Sequence, residues 1–189
     1  MTRLGASGYN GGSRLEGTKM RRVITGVNNS GKAVFTRDDE TPHCFRMGGF
    51  EMGETWFDPG STISDGSVDL TEDKVGLVPE LGGVLMRYVI FPPQEEMAAL
   101  FKTPGNTNAL SEDFNLEDGH PGMHITETID YGFVLEGSIT LELEDGAKKV
   151  LNAGDCYVQN GTRHAWHNET DQRAVLGVVM LGAVRSLRE

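Results

Sequence analysis

An all-β fold with one short helix is what this sequence predicts, and three observations predict it. Glycine contributes 25 of the 189 residues, nearly twice its usual share of about 7%, in a chain without repeats, which points to many turns. From residue 122 onward, short β-prone runs follow one another, each bounded by Gly, Asp-Gly or Asn-Gly. That is the spacing of a sandwich or barrel. Between those runs no amphipathic segment is long enough to cover a parallel sheet, which argues against an α/β arrangement.

Taken in order, residues 1–19 are rich in Gly and Ser without periodicity and read as a flexible N-terminal tail. Residues 20–189 read as one domain. Arg21–Val27 and Lys32–Arg37 flank Asn28-Asn29-Ser30-Gly31, a hairpin connection by its turn chemistry. The stretch Gly26 to Lys32 imitates a phosphate-binding GxxxxGK loop. Ala33 stands where that loop needs Ser or Thr, and Val34-Phe35-Thr36 favours a strand over the required helix. No nucleotide is expected. Residues 38–80 mix short apolar runs with Gly, Pro and Asp and read as loops with brief strands. Leu81–Phe91 is a β-prone run closed by Pro92-Pro93, and Gln94–Lys102 spaces Met97, Leu100 and Phe101 as one face of a short helix. Thr103–Pro121 reads as an acidic surface loop or a flap. The last six predicted strands are Gly122–Leu135, Ser138–Glu144, Lys148–Leu151, Asp155–Gln159, His164–Asn168 and Arg173–Leu181.

Composition excludes several function classes. With 17 Lys and Arg against 28 Asp and Glu, the net charge is −11, the wrong sign for a nucleic-acid backbone or an anionic membrane surface. No run approaches 18 apolar residues, and the N-terminus lacks the apolar segment of a signal peptide, so a cytoplasmic location is expected. Cys44 and Cys156 are then expected as free thiols.

Four of the five histidines, His120, His124, His164 and His167, lie between positions 120 and 167. Side chains alternate across a strand, so His124, Thr126, Thr128 and Asp130 share one face. The same parity groups His164, Trp166 and Asn168 and turns His167 away. A face this polar needs water or a ligand.

Gly122 to Gly137, with His124, Thr126, Asp130 and Gly137 at the marked positions, resembles the first motif of the cupin superfamily. Ala153 to Asn168, with Gly154, Gly161, His164 and Asn168, resembles the second. The resemblance covers about residues 120–182 and is to a small single-domain cupin of the conserved-barrel type. It implies a double-stranded β-helix, or jelly-roll barrel, in the form of a homodimer. A complete cupin site would offer three imidazoles and a carboxylate. Here Thr126 replaces one imidazole and Asp130 stands for the longer Glu.

What remains, His124, Asp130 and His164, is the two-histidine, one-carboxylate set that suits Fe(II), Zn, Mn or Ni. With its shorter arm, Asp130 could instead be a general base or a hydrogen-bond partner of either histidine. His120 could fold back as a third imidazole. The expected substrate is a small oxygenated organic acid or keto compound. Catalysis is assigned to His164 and Asp130, and substrate binding to Arg87, Thr126, Tyr131, Gln159 and Trp166; Phe133 is a further candidate for the cavity wall. Arg87 and Arg163 each have a carboxylate- or enolate-binding reading, although a solvent-exposed arginine is the ordinary expectation at both positions. A lyase or isomerase of the dehydratase or decarboxylase type is the reading the resemblance favours. The alternatives are a non-haem Fe(II) dioxygenase and a non-catalytic metabolite-binding cupin.

Overall fold

In the computed structural model, residues 20–60, 63–71, 78–102, 120 and 122–185 are described. The expected tail over 1–19 and nearly all of the loop over 103–121 lie outside these residues. The described strands are β1 (Arg21–Val27), β2 (Ala33–Glu40), β3 (His43–Met47), β4 (Phe50–Asp58), β5 (Val84–Phe91), β6 (Thr128–Glu136), β7 (Ser138–Leu143), β8 (Lys148–Asn152), β9 (Cys156–Asn160), β10 (His164–His167) and β11 (Ala174–Gly182). The one described α-helix, α1 (Gln94–Lys102), falls where the spacing of Met97 and Leu100 predicts it.

Strands β3-β4-β5-β11-β6-β9 form a six-stranded sheet and β10-β7-β8 a three-stranded one, while β1 and β2 pair as a separate hairpin. The two larger sheets share one core. Met52, Val89, Val134 and Leu176 from the six-stranded sheet pack with Ile139 of β7, and Met97 and Leu100 of α1 close against them. This is the expected all-β barrel with one short helix.

Three parts of the chain depart from the sequence reading. Within 38–80, β4 is a nine-residue strand with an unbroken buried run at its start. One face turns Phe50 and Met52 into the barrel. The other turns Glu51 toward Tyr88, whose hydroxyl donates to Glu51 Oε1 at 2.5 Å. A strand covered on both faces shows no alternation of apolar and polar residues, so the period-2 signal was absent.

The second departure is at residues 122–127, which are not part of a long strand. His124 there exchanges backbone hydrogen bonds with His164, both at 2.9 Å. The chain then crosses to the larger sheet and β6 begins at Thr128. Third, Tyr131 and Phe133, read as cavity wall, lie exposed on the outer face of β6 beside Leu135 and Val158. Odd-numbered β6 residues point away from the barrel once Asp130 points in.

On the same outer face, further along the sheet, Tyr88, Ile90 and Val175 are covered by Met20 and Cys44. Both cysteines are free thiols. The β1–β2 hairpin is tied down by Arg22, which is buried and donates to Asp39 Oδ1 at 2.7 Å, Thr71 Oγ1 at 3.0 Å and the Thr55 carbonyl at 3.1 Å, and which also pairs with Asp69. The segment resembling a nucleotide loop is the turn of this hairpin, with β2 following it directly.

Gly132 is the glycine on which the site depends. A Cβ there would lie 2.1 Å from Cζ of Tyr157, so the absence of a side chain lets that ring lie over β6 and reach the cavity. Gly132→Val is expected to cost about 1–3 kcal/mol through overpacking, read as a lower urea midpoint at unchanged m-value.

Candidate functional site

Between the sheets lies a cavity of about 120 Å³, comparable with the ~150 Å³ cavities that take up a benzene-sized molecule. Most of its wall is apolar, from Phe50, Met52, Val89, Phe91, Leu176 and Val178 among others. Its polar groups are Arg87, His124, Thr126, Asp130 and His164, with the rings of Tyr157 and Trp166 beside them.

The two imidazoles are brought together by the backbone bridge between His124 and His164, which sets their ring centroids 4.3 Å apart. Each is oriented by a carbonyl two residues earlier. His124 Nδ1 lies 2.8 Å from the Gly122 oxygen, and His164 Nδ1 lies 2.9 Å from the Thr162 oxygen. A carbonyl oxygen only accepts, so each Nδ1 carries the hydrogen and each Nε2 the lone pair. Burial pushes the His164 pKa down to about 4, helped by the neighbouring His124 and opposed by the Thr162 carbonyl. Burial lowers that of His124 as well, against the Gly122 carbonyl. Both rings are neutral at pH 7.

Asp130 is 7% exposed, and its Oδ1 is buried with no hydrogen-bond partner. Burial pushes its carboxyl up, while the Thr128 hydroxyl and the charge of Arg87 work against that. Arg87 is 3% exposed, which overturns the ordinary expectation of a solvent-exposed arginine. It sits opposite Glu54 across β4 and β5, with Nη2 2.9 Å from Glu54 Oε1 and Nε 3.3 Å from Oε2. A buried guanidinium requires such a partner. Burial raises the pKa of Glu54 and Arg87 opposes the rise.

The sequence-predicted residues divide cleanly. Arg87, His124, Thr126, Asp130, His164 and Trp166 all line the cavity. Tyr131 does not; it is exposed on the opposite face of β6. Gln159 is buried but turned to the 160–163 turn, where Nε2 donates to the Thr162 carbonyl at 3.0 Å and to its hydroxyl at 2.5 Å. It braces the carbonyl that orients His164. His167 faces Glu142, with Nε2 2.7 Å from Oε2. Asn168 donates to the Pro92 and Gln172 carbonyls at 2.8 and 2.7 Å, so it fastens the start of α1 to the β10–β11 turn. His120 is exposed, and Arg163 lies near Glu144. Sequence reasoning missed Glu54 and Tyr157. For Glu54, a carboxylate near the middle of a β-prone run was the available signal.

Among the described residues, no three His, Cys, Asp or Glu side chains are placed to hold one ion. His124 and His164 form a pair, and Asp130 lines the same cavity.

A double-stranded β-helix whose interior presents imidazoles from these two motifs defines the cupin class. Residues 114–181, about a third of the chain, match the family model described as Cupin domain. It is 47% identical over 55 residues to oryzines biosynthesis cluster protein J of Aspergillus oryzae, a match covering 27% of this chain and 31% of that protein. The chain therefore matches under a third of that relative's length. It is 27% identical over 164 residues to the cupin-domain-containing oxidoreductase srdD of Neurospora crassa, covering 84% of this chain and 71% of that protein. Among solved structures, it is similar to an RmlC-like cupin from Shewanella frigidimarina, with 14% identity, a TM-score of 0.40, and coverage of 75% of this chain and 85% of that one.

His164 links the site to stability. Its folded pKa of about 4 lies below the unfolded value of about 6.5, so the unfolded chain binds more protons between those limits. Stability is fully present above pH 6.5 and is lost as the pH falls toward 4. Asp130 acts in the opposite sense, because the fold favours its neutral form. Replacing His164 by Gln is expected to flatten the fall in unfolding free energy between pH 6.5 and 4, by on the order of 3 kcal/mol, measured by urea titration across that range.

Proposed function

We propose that this cupin acts on a small carbonyl compound by moving a proton on and off the carbon next to the carbonyl, as a lyase or isomerase. The observation that carries the reading is the pairing of two neutral imidazoles, each with its basic Nε2 set by a backbone carbonyl, with a buried carboxyl and a guanidinium in one small apolar cavity. His164 is the base. An imidazole held at so low a pKa takes a proton only when an anion forms beside it, and the nascent enolate is that anion. The C–H proton passes to His164 Nε2, the C–H pair forms the new C=C bond, and the carbonyl π pair moves onto oxygen. Arg87 Nη2, buried without a hydrogen-bond acceptor, donates a hydrogen bond to that oxygen in a dry site where such an interaction is strongest. Asp130, whose carboxyl is pushed up, is suited to return a proton at a second position. Elimination or tautomerisation completes the reaction without any change in oxidation state.

A second reading, an oxidoreductase, is favoured by the similarity to the cupin-domain-containing oxidoreductase of Neurospora crassa. Oxygen consumption separates the two. With 4-hydroxyacetophenone as an enolisable ketone in D2O, the first reading expects deuterium to enter the acetyl methyl group, followed by NMR, with no oxygen uptake. His164→Ala and Asp130→Asn are expected to lower the exchange rate by at least ~10²-fold at unchanged circular dichroism. Oxygen uptake with added Fe(II) and no exchange would place the oxidoreductase first.

Metal content tests the same division. Protein purified without a His tag or chelator is expected to hold well under one equivalent of iron, nickel, manganese or zinc. Near-stoichiometric metal that is lost in both His124→Ala and His164→Ala would restore a metal-assisted mechanism.

A further inference from the structure

We infer that the cavity selects an uncharged hydroxy-carbonyl compound and rejects carboxylates, and that Glu54 is the residue that sets this choice. The inference rests on the small-molecule reading above, but it concerns binding and not turnover.

Arg87 is the one Lys or Arg among the described residues that line the cavity. Its guanidinium is already matched by Glu54, with Nη2 2.9 Å from Oε1 and both residues buried. Asp130, a second carboxyl, lies within electrostatic reach of the same guanidinium. His43, the cross-strand neighbour of Glu54, adds an imidazole behind the pair and lies outside the cavity wall. The one cation is therefore already compensated by Glu54. A substrate carboxylate would give up its water and meet no unmatched positive charge, the situation in which a buried ion is most costly.

The hydrogen-bonding atoms point to what does fit. Arg87 Nη2 is buried and, although close to Glu54, is not aligned with it as a hydrogen bond. It can donate to a carbonyl oxygen. Asp130 Oδ1 is buried without a partner, and His164 Nε2, turned away from the Thr162 carbonyl, carries a lone pair. Both atoms can accept, so they call for a hydroxyl that donates. A carbonyl and a hydroxyl on one neutral molecule satisfy both sets. The volume of about 120 Å³ and the apolar remainder of the wall fit one ring or a short branched chain.

Three probes of nearly equal size test this: 4-hydroxyacetophenone, the isosteric anion 4-hydroxybenzoate, and acetophenone, which lacks the hydroxyl. Affinities are measured by calorimetry, with quenching of Trp166 in the cavity wall as a second readout. The wild type is expected to bind 4-hydroxyacetophenone at least tenfold more tightly than 4-hydroxybenzoate, and acetophenone more weakly than its hydroxylated form. Glu54→Gln, which keeps the shape and leaves Arg87 uncompensated, is expected to shift the ketone-to-carboxylate ratio at least tenfold toward the carboxylate. Should that variant fail to fold, Glu54→Asp, which withdraws the carboxylate by one methylene, is expected to move the ratio in the same direction by a smaller factor.

Equal or tighter binding of 4-hydroxybenzoate to the wild type overturns the inference, as does absence of binding of the neutral ketone at millimolar concentration. A ratio unchanged in the Glu54 variants overturns the role of Glu54. Selective binding of the ketone without deuterium exchange supports the inference while removing the acid–base reading, so the two fail separately.

Discussion

The backbone bridge between His124 and His164 is the constraint on which the site depends. Two hydrogen bonds of 2.9 Å join segments 40 positions apart in the chain. They fix the crossing from the three-stranded to the six-stranded sheet, and they bring the two imidazoles together, tilted by 51° with centroids 4.3 Å apart. Once that seam is closed, the register of β6 follows. Asp130 must then point into the barrel opposite Gln159, and Gly132 must lie opposite Tyr157. The chemistry of the cavity is thus set by backbone pairing before any side-chain contact is considered. The side chains then lock it, because Gln159 holds the Thr162 carbonyl that in turn holds His164.

The barrel also pays for its polar interior in a particular way. Two imidazoles, a carboxyl and an ion pair are enclosed by an apolar wall, and each is accommodated differently. The imidazoles shed their charge. The guanidinium keeps its charge and takes Glu54 with it. Asp130 is left between these solutions, with one oxygen unpaired, which neither removal of charge nor a full complement of partners has resolved. Buried groups of this kind cost stability unless something completes them. Stability and function therefore pull on the same atoms.

The site was legible in the sequence to the extent that strand alternation governs it. Parity alone placed His124, Thr126 and Asp130 together, put Trp166 with His164 and sent His167 to the other face. That same parity excludes Tyr131, an odd-numbered neighbour of Asp130; its aromatic character outweighed its position in the sequence reading. Glu54 and Arg87 were not legible as a pair. They are 33 residues apart, and their pairing depends on the β4–β5 register, which slips by one residue just beyond Glu54. Tyr157 was hidden for a related reason, since its reach into the cavity depends on a glycine in a neighbouring strand. Cross-strand partners require the fold, whereas faces require only the period.

The wider barrel follows the same rule. Strand β4 is buried on both sides, so it carries no alternation to read, yet it supplies Met52 to the cavity and Glu54 to the ion pair. A strand that looks irregular in sequence is thus the one that sets the electrostatics of the site. Its polar residues are not failures of the hydrophobic pattern. Glu51 and Glu54 each meet a partner on β5, Tyr88 and Arg87 respectively, and these partners point to opposite faces. The two glutamates therefore join β4 to β5 through one bond on each side of the sheet. The bond inside the barrel carries charge and bears on ligand choice, while the one outside ties the sheet to the layer beneath Met20 and Cys44. Selectivity in the cavity and attachment of the outer layer are in this way built from one short stretch of chain.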